Sequence, residues 1–103
     1  MSDTISDLMN QLSNTAAEGL SDSGAFGQEL FKIVGAEDNP IFALTEAVKD
    51  GDLTPEDFEQ EMEREKEVLQ AQLATLEIIA LSEVQKAINS FVSGLTSAVR
   101  VGI

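Results

Sequence analysis

The stretch TPEDFEQEMEREKEVLQAQLATLEIIALSEVQKAINSFVSGLTSAVRV, residues 54–101, decides the fold of this chain. Thr54 directly before Pro55 is a helix start, pairing a capping hydroxyl with a residue whose fixed backbone angle suits the first helical position. From there the stretch reads as one long helix over about 55–101. Its two ends are chemically different. Residues 55–67 are crowded with carboxylates, whereas residues 73–103 carry only Glu77, Glu83, Lys86 and Arg100 as charges.

Unrolled at roughly 100° per residue, this helix places Phe58, Met62, Leu69, Leu73, Leu76, Ala80, Ala87, Phe91, Leu95 and Ala98 on one stripe, the expected intramolecular seam. Beyond Leu76 a second apolar stripe is added, made of Ile78, Leu81, Ile88, Val92 and Val99. One antiparallel partner helix cannot cover both. The remaining circumference holds Ser82, Asn89, Ser93 and Ser97, with Thr75 and Thr96, all small and uncharged. An exposed helix face in so acidic a chain is expected to carry Glu and Lys, so this part reads as enclosed. Two arrangements achieve that. Either copies of the chain assemble through Ile78, Leu81, Ile88, Val92 and Val99, or the helices before Asp50 cover both stripes within one molecule.

Upstream, Ile5, Leu8, Met9, Leu12, Ala16 and Leu20 recur at helical spacing behind Thr4, a capping residue answered by Asp7. This predicts a first helix over about 4–20, followed by the hinge-like Ser21-Asp22-Ser23-Gly24. Phe26, Leu30, Phe31, Ile33 and Val34 predict a short helix ended by Gly35 as a left-handed cap. Asn39-Pro40 marks another start, and Ile41, Phe42, Leu44 and Val48 give a helix of about ten residues closed by Lys49-Asp50-Gly51-Asp52. No alternating β-branched run or Asn-Gly signal argues for a strand. The expectation is an all-α protein, a helical hairpin or small bundle in a single domain of 103 residues. It divides into residues 1–24 (helix and flexible loop), 25–53 (short helices) and 54–103 (the long helix).

Composition removes most catalytic vocabulary, because Cys, His, Trp and Tyr are absent. There is no thiol nucleophile, no imidazole base and no zinc site of the usual type. Nothing marks a Gly-rich phosphate loop or a nucleophile elbow, so no enzyme and no cofactor are expected. The chain has 19 acidic and 6 basic residues, a formal net charge of -13, which opposes direct binding to nucleic acid or an anionic membrane and allows a basic protein partner. No apolar run is long enough to span a bilayer, and no basic segment with an apolar core opens the chain as a signal peptide. Synthesis in the cytoplasm is expected, with export by a signal-less route or incorporation into a particle still open.

Glu59, Glu61, Glu63, Glu65 and Glu67 form the acidic face that a basic partner would meet. Glu59, Glu63 and Glu67 fall at i, i+4 and i+8 but lack the His or second carboxylate-bearing helix of a di-metal bundle, so no metal site is expected. Asp50-Gly51-Asp52 looks like part of a calcium loop, yet its register puts Glu46 and Val48 where the first carboxylate ligands belong; it reads as a loop and cap. Mutual repulsion among the alternating glutamates predicts an end able to fray.

Residues 44–69, containing Val48-Lys49-Asp50-Gly51-Asp52-Leu53-Thr54-Pro55, resemble the hairpin of the small SHOCT oligomerisation motif, although that family's second helix is Lys-rich and this one is acidic. Residues 82–95, Ser82-Glu83-Val84-Gln85-Lys86-Ala87-Ile88-Asn89-Ser90-Phe91-Val92-Ser93-Gly94-Leu95, together with chain length and a polar N-terminal part, are similar to needle and inner-rod subunits of type III secretion systems. That resemblance implies a helical tube in which Ser82, Lys86, Asn89 and Ser93 meet the lumen or a neighbouring subunit. The negative charge and the apolar Val101-Gly102-Ile103 end depart from it. The expected function is a non-enzymatic, self-assembling structural subunit of a secretion filament or virion. The alternative is an acidic adaptor or inhibitor of a basic protein, including mimicry of nucleic acid.

Overall fold

The computed structural model describes residues 3–102. Within them the chain is all-α, with five helices and no strand: α1 (Asp3–Ala17), α2 (Ser23–Val34), α3 (Pro40–Lys49), α4 (Pro55–Thr75) and α5 (Leu81–Val101). The expected long helix is two helices of 21 residues each, folded back on one another. The break is at Glu77, whose φ of 54° is left-handed.

Length explains the reversal. A continuous helix over 55–101 would run about 70 Å at 1.5 Å per residue, against a longest molecular extent of 37 Å. Three short helices could not cover the apolar face of such a rod. Folded back, the faces of α4 and α5 cover each other: Phe58, Met62, Leu69 and Leu73 of α4 and Ala87, Phe91 and Leu95 of α5 are all buried. Leu76 and Ala80, assigned to the same seam, are exposed because they lie in the turn.

Helix starts follow local chemistry closely. The Asn39 side chain accepts a hydrogen bond from the Ile41 N–H at 2.8 Å, and Thr54 Oγ1 accepts from the Asp57 N–H at 3.2 Å, each with proline next in line. Asp22 caps α2 through Ala25 N–H at 3.4 Å. Thr4 lies inside α1 rather than capping it. The end of α3 is a Schellman turn: Asp52 N–H reaches Ala47 O at 2.8 Å, Gly51 N–H reaches Val48 O at 3.1 Å, and Gly51 has φ 83°. Gly35, in contrast, ends α2 at φ -83°, not in the left-handed region. Glycine is needed there for space, since a Cβ would sit 2.7 Å from the Phe31 carbonyl oxygen.

In the packed molecule α5 is central, touching α4, α1 and, less extensively, α3. α1 lies between α5 and α2, and α3 flanks α4. Close approach on α1 depends on small residues: a Cβ on Gly27 of α2 would meet Ala17 Cβ at 3.4 Å, and one on Gly94 of α5 would meet a Leu12 methyl at 2.9 Å. The core holds Phe26, Phe42, Phe58 and Phe91, all within 1% of complete burial. Two polar side chains join it. Thr45 Oγ1 donates to the Ile41 carbonyl at 2.9 Å, while Ser13 Oγ is buried with no hydrogen-bond partner among the described residues.

The left-handed residue at the reversal gives a direct test. Glu77→Gly relieves steric strain worth about 1–2 kcal/mol and is expected to raise the melting temperature, whereas Glu77→Val is expected to lower it. If both variants melt with the parent, Glu77 does not hold the reversal in a left-handed conformation.

Candidate functional site

On α4 the expected acidic face separates into two groups. Glu61, Glu63 and Glu67 are exposed, and Glu56 and Asp57 extend the exposed set to the helix start, where a helix dipole favours negative charge. Glu59 and Glu65 are half-buried. Glu59 pairs with Arg100 in the last turn of α5, and Glu65 lines a crevice with Asn39, Pro40 and Val68. This end of α4 is no fraying stalk. Thr54 caps it, Phe58 and Met62 lock its inner side into the core, and the Arg100–Glu59 pair joins it to α5.

The exposed side of α5 carries Ser82, Asn89, Ser93 and Ser97, the small polar face expected from the sequence. The chain's own helices leave it uncovered. Asn89 and Gln85 meet Gln60, Glu63, Arg64, Lys66, Glu67 and Gln70 of α4 along an open groove of 730 Å³. Its lining is amides and charges of both signs, with no apolar wall to hold two carboxylates in different protonation states. Among the described residues no group of three carboxylates lies close enough together to hold a metal ion.

The five positions expected at a contact between copies do not share one surface. Ile88 is fully buried and Val99 is 3% exposed, both packed into the chain's own core. Within the chain, α1 and α3 pack on the side of α5 that α4 leaves open and bury these two positions. Ile78 and Val92 are half-buried, and Leu81 is exposed.

Unanticipated from sequence is a constellation at the end of the bundle where α4 turns into α5. Ser21, in the α1–α2 connection, donates its hydroxyl to Glu83 Oε2 at 2.7 Å and its backbone N–H to Glu83 Oε1 at 3.1 Å. Glu83 also accepts from the Ala80 N–H at 3.4 Å, capping a helix whose own N-cap residue has no side-chain acceptor. Ser21 foremost, with Ala80 and Lys86 assisting, holds the Glu83 carboxyl below the usual carboxylate range. The partners are 62 residues apart, so no local pattern could reveal the contact.

Comparison with protein families, curated proteins and solved structures finds no match to this chain.

Two measurements follow from these placements. Ile88→Asp is expected to lose helical circular dichroism and roughly 3–5 kcal/mol of stability, the cost of an uncompensated buried charge; a folded, helical variant would mean that Ile88 faces outward. Glu83 is charged more readily in the folded than in the unfolded chain, so its contribution is present above the ordinary glutamate range and is lost as pH falls through its lowered folded value. The parent is therefore expected to melt above Glu83→Gln at pH 7, with the gap closing on acidification. A gap that persists unchanged to pH 2 contradicts the Ser21–Glu83 contact.

Proposed function

We propose that the protein is a non-enzymatic acidic interaction module whose α4 surface engages a basic protein partner. The observation that carries this reading is the fixed outward array of Glu56, Asp57, Glu61, Glu63 and Glu67 on a helix whose opposite side is locked in the core. A preordered array of carboxylates steers a cationic partner and sets its register at little conformational cost. The charge balance of the helix strengthens it. Beside these five exposed carboxylates α4 carries only two cations, Arg64 and Lys66, and it remains strongly negative.

Self-assembly is the second reading, supported by exposure of Leu81 and by the availability of the Ser82, Asn89, Ser93 and Ser97 face for a neighbouring copy, as in the filament subunits that residues 82–95 resemble. Burial of Ile88 and Val99 withdraws the centre of the surface on which that reading was built.

An oligolysine peptide titrated into the isotope-labelled chain tests the acidic reading. Amide shifts are expected to concentrate on α4, and Glu63→Lys combined with Glu67→Lys is expected to weaken binding about tenfold, or 1.4 kcal/mol. Affinity should also fall as salt rises. Equal binding by parent and variant would overturn the proposal, and a mass that grows with concentration in light scattering would favour self-assembly.

A further inference from the structure

The end of the bundle at the α4–α5 turn combines two exposed leucines with carboxylates in segments that hold no lysine or arginine. Leu76 is 43% exposed and Leu81 is 57% exposed, although both are large apolar side chains. Ile78, Ile79 and Leu20 lie half-buried beside the core at the same end. The Ser21–Glu83 hydrogen bonds bring the α1–α2 connection against the start of α5, so residues 18–23 and 75–83 form one surface. These two segments contain Glu18, Asp22, Glu77 and Glu83 and neither lysine nor arginine. The nearest cation along α5 is Lys86, one turn further on. An apolar centre with a carboxylate rim is the complement of a helix that is apolar on one face and basic along its borders.

We infer that this end of the bundle is the docking site for a short amphipathic, lysine- or arginine-bordered helix of a partner protein, seated on Leu76 and Leu81 with its cations toward Glu18, Asp22, Glu77 and Glu83. A second copy of the chain is the poorer occupant. Bringing two such surfaces together would set eight carboxylates around one contact, and like charges across an interface disfavour it. The inference rests on the reading of the protein as a binder of basic partners and adds to it an apolar anchor, which gives a contact that salt does not screen.

The test uses the full chain, isotope-labelled, and two synthetic probes: an amphipathic leucine–lysine helical peptide and its leucine–glutamate counterpart. The lysine peptide is expected to shift amides in residues 18–23 and 75–83, and Leu76→Ser with Leu81→Ser is expected to weaken it about tenfold. Both substitutions are at exposed positions, and unchanged circular dichroism checks that the bundle is intact. Glu63→Lys with Glu67→Lys is expected to leave this binding within about twofold of the parent. Shifts confined to α4, unaffected by the leucine substitutions, would overturn the docking site and leave the acidic α4 reading standing. Equal binding of the glutamate peptide would overturn the charge argument. Doubling of mass without peptide, abolished by the leucine substitutions, would assign the surface to a second copy. Absence of binding by both the amphipathic and the oligolysine peptide would overturn the two readings together.

Discussion

The structure depends on the reversal of the chain between Thr75 and Leu81. With it, two helices of 21 residues supply each other's apolar cover, and α1 and α3 have only the remaining sides to close. Without it, a rod about 70 Å long would present more apolar surface than the preceding helices could bury. A domain this small has little core to spare, so burial outweighs the local cost of one left-handed residue at Glu77, about 1–2 kcal/mol.

From the reversal follows the division of the surface. Turning α5 back along α4 directs Ile88 and Val99 inward, toward helices already placed by the first half of the chain. The same rotation directs Ser82, Asn89, Ser93 and Ser97 outward. It also leaves Leu76 and Leu81 at the one place where α4 and α5 no longer shield each other. The carboxylates on α4 become an ordered array because Phe58 and Met62 hold the helix from beneath, so repulsion among them is borne by a packed element instead of a fraying one.

The absence of His and Cys and the excess of 19 acidic over 6 basic residues narrow function without naming it. What the folded chain adds is placement. Glu59 is drawn into a pair with Arg100, Glu65 lines a crevice beside the start of α3, Glu61, Glu63 and Glu67 remain open, and Glu83 is engaged by Ser21 from a distant loop. An even row of glutamates in sequence is thus an uneven surface in space.

The sequence by itself determined the helical class, the starts at Asn39-Pro40 and Thr54-Pro55, the closure of α3 at Gly51 and the seam through Phe58, Met62, Phe91 and Leu95. These are local properties, set by side-chain hydrogen bonds to the first helical turn, by backbone freedom at one glycine and by spacing around a single helix. Tertiary structure alone decided where the long apolar pattern breaks. Residues 76–80 contain neither glycine nor proline, and Leu76, Ile78 and Ile79 continue a helical pattern as readily as they end one. Only the competition between one extended rod and two mutually covering helices distinguishes these outcomes, and that competition is settled by buried area across the whole molecule, which no local window contains.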